Sequence, residues 1–342
     1  MFLLFLNLPL RVFSLLGGYL FIRKNYAGIQ WLNKYGLEFK IVAKEKLKVG
    51  LALGGGGARG LAHIGVLKIL ERKNIPIDLI TGTSMGAIIG AIYALKKDIS
   101  AIEKITEKYS KITEFNIDLS FSEKEKKDKP YFLKKMSDFL KKSYIFNLGF
   151  RKKYVNDGEG LKKILKDLVD DKVFTDTKIP FAAVAADLVK GEKVIINQGK
   201  LFDALLASAS IPGMFPPIIS NNKILVDGGI VSVVPIDVAQ SLGANFIIAV
   251  DVNQSIKRRF EFKNTVDILF RADSITSAKL RKLQLSFADV VITPKVGRFH
   301  WSDFSKPEKC IREGEIAAQN AILELKKKLK SAKPIWWKRL FY

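Results

Sequence analysis

The chain alternates short apolar segments with helical stretches, and this alternation is the feature that most restricts its fold. Apolar segments of four to six residues, typical of buried strands, occupy positions 48–53, 77–81, 181–186, 223–226, 245–250 and 290–293. Helical character is found between most of them, as at 61–73, 85–95, 234–242 and 313–330. Strands that alternate with helices favour a largely parallel sheet covered on both faces. We therefore predict an α/β fold.

Three glycine-rich motifs follow three of these strands. They are GGGGARG at 54–60, GTSMG at 82–86 and DGG at 227–229. Ligands of parallel α/β sheets bind beyond the carboxyl ends of the strands, which share one edge. We expect the three motifs to meet at that edge and to form one site.

The pentapeptide GTSMG predicts a nucleophile elbow, in which Ser84 occupies a strained turn between a strand and a helix. Gly82 and Gly86 would remove Cβ atoms that otherwise collide across the turn. Ser84 and Met85 would lie at the positive end of the helix, where an anion is favoured. The alternative is an ordinary turn in which the Ser84 side chain caps the helix.

The glycine loop has two interpretations. The spacing Gly55-x-Gly57-x-x-Gly60 matches a dinucleotide-binding fingerprint, but that fingerprint needs an acid at the end of the second strand, and Asp78 begins its strand. We favour an oxyanion-binding loop, in which consecutive glycine N–H groups converge on one oxygen. Arg59 either holds the loop in shape, adds positive potential, or is an ordinary surface arginine.

A serine nucleophile needs a base that takes its proton, and the chain has only two histidines that could serve. His300 follows Ser84 and Asp227 in the order of an α/β-hydrolase triad, although its surroundings are not typical of a strand end. His63 is expected to be a hydrogen-bonded core residue. We favour direct action of Asp227 on Ser84, with the pKa of Asp227 raised by partial burial.

The charge of the chain indicates an anionic partner. There are 57 Lys and Arg residues against 34 Asp and Glu, a net charge of +23. A nucleic acid or a membrane surface would suit this charge, but no recognisable nucleic-acid reading module is present. A single cysteine, Cys310, excludes an internal disulfide, and the absence of a Cys/His cluster predicts that there is no metal site.

Both ends of the chain favour the membrane. Residues 1–22 are apolar except for Asn7, Arg11 and Ser14, and Pro9 and Arg11 interrupt a membrane span. We favour a segment that lies in the interface, over a true span or a part of the folded core. Residues 325–342 carry seven Lys and Arg residues, no acid and several aromatic residues, a composition that suits lipid headgroups. Residues 124–142 are either a basic amphipathic helix or a lysine-rich solvated face.

The motifs together resemble the patatin-like phospholipase family, and specifically its bacterial branch. The resemblance covers about residues 48–325 and includes GGGARG continuing as LAHIGVL, GTSMG, DGG, AADLVKG at 185–191 and ASASIPGMFPP at 207–217. It implies a three-layer α/β/α sandwich with a mainly parallel central sheet, a Ser84–Asp227 dyad, an oxyanion hole from the glycine loop, and no metal or organic cofactor. Ser232 stands where the family usually has asparagine, and Ala186 where threonine is common.

The predicted function is that of a serine acyl hydrolase releasing fatty acids from phospholipids or lysophospholipids through an acyl-enzyme. Its partner would be an anionic membrane surface on the cytoplasmic side, reached peripherally or by an N-terminal anchor, and no nucleic acid. Alternatives are a soluble carboxylesterase or thioesterase and a non-catalytic membrane-associated protein. The predicted domains are residues 1–45 (membrane-associating), 46–330 (catalytic) and 331–342 (basic aromatic tail). The predicted site residues are Ser84 and Asp227 (catalytic); Gly55, Gly56, Gly57, Arg59, Gly60 and Met85 (glycine loop and oxyanion hole); and Gly82, Gly86, Gly228 and Gly229 (elbow and loop glycines).

Overall fold

The computed structural model of the protein describes residues 15–16, 19–20, 46–100, 102, 156–253, 261–262 and 265–332. The chain divides into two units, Met1–Lys46 and Leu47–Tyr342. In the first unit, β1 (Leu15–Leu16) pairs antiparallel with β2 (Tyr19–Leu20). The predicted domain boundaries at residues 45 and 330 stay predictions.

Most of the sequence predicted to contact the membrane falls outside the described residues. This holds for residues 1–22 except β1 and β2, for residues 124–142, and for residues 333–342. Within the described ranges, none of the helices combines the length and hydropathy needed to span a bilayer.

The described part of the larger unit contains the following strands and helices. The strands are β3 (Val49–Leu53), β4 (Leu79–Thr83), β5 (Phe181–Asp187), β6 (Glu192–Ile196), β7 (Ile218–Ser220), β8 (Lys223–Asp227), β9 (Phe246–Val250) and β10 (Val290–Ile292). The helices are α1 (Ala62–Arg72), α2 (Met85–Lys96), α3 (Glu159–Val169), α4 (Leu201–Ala209), α5 (Ile236–Ser241), α6 (Thr265–Leu285) and α7 (Pro307–Ala332).

All eight of these strands belong to one mixed sheet in the order β10-β9-β3-β4-β5-β8-β7, with β6 also paired to β5. Strands β10, β9, β3, β4 and β5 run parallel to one another. Strands β6 and β8 are antiparallel to β5, and β7 is antiparallel to β8. The predicted mainly parallel sheet is confirmed.

Helices cover both faces of the sheet, so that the unit has three layers. Strand β9 shows this directly, because its side chains alternate between two cores. Phe246, Ile248 and Val250 pack into the core shared with α1, α2 and α7. Ile247 and Ala249 pack into the core on the opposite face, to which α5 and α6 contribute. The predicted α/β/α sandwich is confirmed.

Strand β4 begins two residues later than its apolar pattern predicts, at Leu79 instead of Ile77. Asp78 is used for another purpose, since its carboxylate accepts the N–H of Val49 at 2.7 Å and its own N–H donates to the Val49 carbonyl at 2.8 Å. Asp78 therefore lies at the start of the parallel strands, at the opposite end of β4 from Ser84, as its sequence position indicates.

Strand β8 corrects one step of the reasoning from sequence. The sequence predicts that Asp227 meets Ser84 because parallel strands end at a common edge, but β8 is antiparallel to β5. The register explains why the two residues still converge. Asp227 at the end of β8 pairs with Ala185, and Val184 next to it pairs with Thr83 of β4, which directly precedes Ser84.

Candidate active site

Ser84 occupies a strained turn between β4 and α2. Its backbone has φ 53° and ψ −123°, a left-handed conformation that a residue with a side chain rarely adopts. The Ser84 carbonyl accepts the N–H groups of Ala87 and Ile88 and so begins helix α2. The Ser84 side chain makes no capping hydrogen bond, so the alternative of a helix-capping serine is wrong.

The two glycines of the pentapeptide are required by close backbone contacts. A Cβ atom on Gly82 would lie 2.5 Å from the Ala87 Cα atom, across the turn. A Cβ atom on Gly86 would lie 2.3 Å from the Leu53 carbonyl oxygen, on the neighbouring strand β3. The collision predicted for Gly82 is therefore across the turn, whereas Gly86 allows α2 to approach the end of β3.

Asp227 lies beside Ser84 and is almost completely buried. Its Oδ1 atom accepts the N–H of Gly229 at 2.7 Å, and the Ser84 hydroxyl lies near its carboxylate. Burial raises the pKa of Asp227 to about 6, although the Ser84 hydroxyl and the Gly229 N–H act in the opposite direction. A carboxylate with this pKa is ionised at neutral pH and is a stronger base than an exposed one.

Gly228 allows the end of β8 to approach β5 closely. A Cβ atom at this position would lie 2.3 Å from the Val184 carbonyl oxygen. The Gly229 N–H, by contrast, holds the Asp227 carboxylate in place. The two glycines therefore position Asp227 in different ways, one by contact distance and one by a hydrogen bond.

The glycine loop runs next to Ser84, since a Cβ atom on Gly55 would lie 3.4 Å from the Ser84 Cβ atom. The Gly55 N–H donates to the Val233 carbonyl at 3.0 Å, and the Gly55 carbonyl accepts from Asn253 Nδ2 at 2.7 Å. Because its N–H is already used, Gly55 is not available as an oxyanion donor, which corrects that part of the prediction.

The N–H groups of Gly56 and Gly57 make no hydrogen bond within the described residues. Gly57 has φ 56°, and a Cβ atom there would lie 2.2 Å from the Trp301 carbonyl oxygen, so only glycine fits. Met85 is the first residue of α2, and the first N–H groups of a helix have no partner within it. Gly56, Gly57 and Met85 are therefore the candidate oxyanion donors.

Arg59 holds the glycine loop against a neighbouring segment. Its Nε atom donates to the Phe299 carbonyl at 2.8 Å, and the Ala58 N–H donates to the Trp301 carbonyl at 2.6 Å. These contacts favour the first of the three interpretations of Arg59, in which it maintains the loop. Gly60 leaves space for Met85, since a Cβ atom there would lie 2.4 Å from the Met85 Cγ atom.

Neither histidine contacts the dyad through a hydrogen bond. His63 is fully buried, and its Nε2 atom is 2.8 Å from the Gly54 carbonyl oxygen. Burial lowers the pKa of His63 to about 4, so its neutral ring donates this hydrogen bond at neutral pH. His300 is exposed, and its Nδ1 atom lies 2.7 Å from the Ser302 hydroxyl. The packed His63 is as predicted, and no geometry of a triad is present.

Ser208 is a site residue that the sequence-based reasoning missed. It lies on α4, is fully buried, and its Oγ atom accepts the Ser84 N–H at 3.0 Å. The same hydroxyl donates to the Val184 carbonyl at 2.6 Å. The segment ASASIPGMFPP contains Ser208, but a serine within a helix gives no sign in the sequence of which distant backbone atom it contacts.

The two departures from the family pattern lie close to the dyad. Ser232 is fully buried, its carbonyl accepts the Thr83 hydroxyl at 2.8 Å, and its own hydroxyl has no partner within the described residues. Ala186 is buried in β5 opposite Val226. Within the described residues, no group of three or more His, Cys, Asp and Glu side chains is placed to hold a metal ion.

Comparison with known proteins gives a family match over residues 51–239, to the model described as patatin-like phospholipase. The chain is 27% identical over 279 residues to Patatin-like phospholipase domain-containing protein 6 of Mus musculus, covering 81% of this chain and 18% of that protein. It is 31% identical over 208 residues to Lysophospholipase NTE1 of Pyricularia oryzae, covering 60% of this chain and 12% of that protein. The chain thus spans less than a fifth of the length of these curated relatives.

Among solved structures, the chain is similar to VipD from Legionella pneumophila, with a TM-score of 0.42, 15% identity, and coverage of 81% of this chain and 66% of VipD. It is also similar to the ExoU–SpcU complex of Pseudomonas aeruginosa, with a TM-score of 0.40, 15% identity, and coverage of 84% and 53%. The family match spans just over half of the chain and includes all three glycine-rich motifs. The predicted resemblance to the family is therefore confirmed, its bacterial branch stays a prediction, and the chain belongs to the patatin-like phospholipase family.

Proposed function

We propose that this chain is a serine acyl hydrolase that releases fatty acids from phospholipids or lysophospholipids. The observation that carries the proposal is the proximity of the Ser84 hydroxyl to the buried carboxylate of Asp227. A serine hydroxyl is a weak nucleophile until a base takes its proton, and a general base works best when its pKa lies near the working pH. A pKa of about 6 suits Asp227 to this task.

In the first half of the reaction, the Ser84 Oγ atom attacks the ester carbonyl and its proton passes to Asp227. The negative charge that develops on the carbonyl oxygen is stabilised by the free N–H groups of Gly56, Gly57 and Met85. The tetrahedral intermediate then collapses, the C–O bond to the glycerol oxygen breaks, and the departing oxygen takes the proton from Asp227. The acyl group remains on Ser84 as an ester.

In the second half, Asp227 takes a proton from water, and the resulting hydroxide attacks the acyl-Ser84 carbonyl. The same N–H groups stabilise the second oxyanion. When this intermediate collapses, Ser84 leaves as the alkoxide and recovers its proton from Asp227, and the fatty acid is released. The cycle needs no redox change and no co-reactant except water.

The lipid substrate is supported by family membership and by the printed name of the relative Lysophospholipase NTE1. The net charge of +23 supports an anionic membrane surface as the partner, because positive charge raises the local concentration of protein at such a surface. We further propose a location on the cytoplasmic side of the membrane, peripheral or anchored through residues 1–22.

The experiment that tests this proposal measures fatty acid released from vesicles that contain lysophosphatidylcholine or phosphatidylcholine. Wild-type protein should release fatty acid, and Ser84→Ala should not. A soluble esterase or thioesterase would instead hydrolyse monomeric esters equally well with and without a lipid interface. Absence of fatty acid release by folded wild-type protein, from every lipid and every short ester tried, would contradict the hydrolase assignment itself.

A further inference from the structure

Helix α6 carries an apolar stripe that points away from the protein. The side chains of Ile268, Ile275 and Leu283 are 54%, 42% and 60% exposed. Together with the exposed Ala272 and Lys279, they occupy positions four, three, four and four residues apart, a spacing that places them on one side of a helix. Apolar stripes of surface helices normally face the core, so an outward stripe of this length indicates a binding surface.

The opposite side of α6 accounts for its attachment to the domain. Leu280 and Leu285 pack against the core beneath the helix. Gln284 accepts the Val234 N–H at 3.2 Å and donates to the Val231 carbonyl at 3.3 Å. These apolar and polar contacts hold α6 against the domain, and the outward stripe contributes nothing to this attachment.

We propose that this stripe, defined by Ile268, Ala272, Ile275, Lys279 and Leu283, binds the surface of an anionic phospholipid bilayer. The proposal rests on the proposed function, because it supposes that the substrate lies in a lipid surface. A helix with apolar side chains on one face and basic ones beside them lies in the membrane interface, with the lysine ammonium reaching toward the headgroups.

Lys279 favours a bilayer over a second copy of the chain as the partner of the stripe. Lys279 lies between Ile275 and Leu283, and Lys282 is also exposed. Lysines are depleted from the cores of protein interfaces, and in a two-fold symmetric contact this patch would face the same positive patch of the other copy. Against anionic headgroups, the same charges stabilise binding.

The inner side of α6 connects this surface to the catalytic loops. The Arg281 guanidinium lies 3.4 Å from the buried Asp251 carboxylate, and Asp251 accepts the Asn253 N–H at 3.0 Å. Asn253 in turn donates to the Gly55 carbonyl of the glycine loop at 2.7 Å. A bilayer that binds α6 would therefore contact the helix that is linked to the glycine loop through Asp251 and Asn253.

A fluorophore at residue 283 tests the proposal directly in the full chain. The only native cysteine, Cys310, is 1% exposed, so a Leu283→Cys variant can be labelled selectively with an environment-sensitive dye. The control is Arg72→Cys, an exposed position at the end of α1 on the other face of the sheet. Vesicles of phosphatidylcholine with phosphatidylserine should shift the emission to the blue at residue 283 and leave it unchanged at residue 72.

An activity measurement separates this proposal from the hydrolase assignment. The double substitution Ile275→Glu/Leu283→Glu should lower fatty acid release from vesicles by roughly tenfold or more and leave hydrolysis of a soluble short-chain ester unchanged. A blue shift at both labelled positions or at neither contradicts the proposal, and so does a label at 283 that is already blue-shifted without lipid, as a second copy would cause. If no ester is hydrolysed but the label at 283 alone responds to vesicles, the docking surface stands and the hydrolase assignment fails.

Discussion

The backbone N–H of Ser84 donates a hydrogen bond of 3.0 Å to the hydroxyl of Ser208. This bond joins the strained elbow to helix α4, and the bond from Ser208 to the Val184 carbonyl continues it to strand β5. The conformation of Ser84, with φ 53°, is of a kind that costs about 1–3 kcal/mol and persists only where the surroundings hold it. We therefore propose Ser208 as a positioning residue for Ser84, the proposed nucleophile.

Ser208→Ala should slow acylation of Ser84 more than it affects substrate binding. The variant leaves the buried Ser84 N–H without its partner, which costs about 1–3 kcal/mol and allows the elbow to relax. We expect kcat to fall by roughly tenfold while KM changes little, because the hydroxyl supports the geometry of the nucleophile. Steady-state kinetics on a soluble ester, below the unfolding temperature of the variant, provide the measurement.

Ser210→Ala is the matched control for this change. Ser210 is equally buried, but its hydroxyl donates at 2.7 Å to the Leu206 carbonyl of helix α4, which ends one residue before it. Its kcat should stay near the wild-type value. Equal losses in the two variants would mean that both serines act only through stability and would remove the positioning role of Ser208.

Asp227→Asn should abolish most activity and yet stabilise the protein at pH 8. The activity falls because amide oxygen cannot accept the Ser84 proton as a base, a contribution of about 10²–10⁴-fold. The stability rises because the wild-type protein must keep a buried carboxylate ionised, whereas asparagine is neutral. With the pKa of Asp227 raised from 3.8 to about 6, this penalty is about 3 kcal/mol at high pH.

The gain in stability expected for Asp227→Asn depends on pH in a defined direction. The folded state binds the Asp227 proton more tightly than the unfolded state, so the contribution of Asp227 to stability falls as the pH rises from 3.8 to about 6. The difference in free energy of unfolding between Asp227→Asn and wild type should therefore be largest above pH 6 and shrink toward zero near pH 4. A variant that is less stable than wild type at pH 8 would show that the carboxylate is well solvated or paired in the folded protein.

The sequence predicts the layer architecture and the proximity of Ser84 to Asp227, but for different reasons. Alternating apolar strands and helices determine the layers, because only a buried parallel sheet accommodates such strands. The motifs predict that proximity from a common edge of parallel strands, whereas β8 is antiparallel to β5 and the register brings the two residues together instead. Strand direction depends on the connection between strands, and the short strand β7 that precedes β8 has no distinct pattern in the sequence.

The role of each N–H in the glycine loop also could not be read from the sequence. Gly55, Gly56 and Gly57 are equivalent in the motif, and only the carbonyl of Val233, far along the chain, removes Gly55 from the donors. Asn253 and Ser208 act through single long-range contacts of the same kind. Local patterns carry no information about such contacts.

Gly82→Ala should prevent formation of the elbow. The new Cβ atom would lie 2.5 Å from the Ala87 Cα atom, and backbone atoms on both sides leave no flexible group to move. We expect loss of soluble folded protein or a large fall in the unfolding temperature. Gly160→Ala in α3 is the control, because no atom lies within 4 Å of the added Cβ, and alanine should raise stability by up to about 1 kcal/mol. Thermal unfolding of both variants gives the comparison, and a Gly82→Ala protein as stable as wild type would contradict the tight turn.

His300→Ala should retain most of the activity. The imidazole is exposed and contacts Ser302, and the buried neutral His63 contacts the Gly54 carbonyl. Neither ring is therefore placed to accept the Ser84 proton. Hydrolysis of a soluble ester by folded His300→Ala protein is the measurement, and an inactive variant would favour a Ser–Asp–His triad instead.

Covalent labelling of Ser84 tests the dyad most directly. A fluorophosphonate should form one adduct on wild-type protein, located by mass spectrometry on the peptide that contains Ser84, with a labelling rate that falls as the pH is lowered through about 6. Above about pH 6, Asp227→Asn should label far more slowly than wild type, and Ser84→Ala should not label at any pH. Labelling of wild type and Ser84→Ala at the same rate would contradict the Ser84–Asp227 mechanism. So would a wild-type labelling rate that does not change between about pH 5 and about pH 7, roughly one unit on each side of the pKa of Asp227.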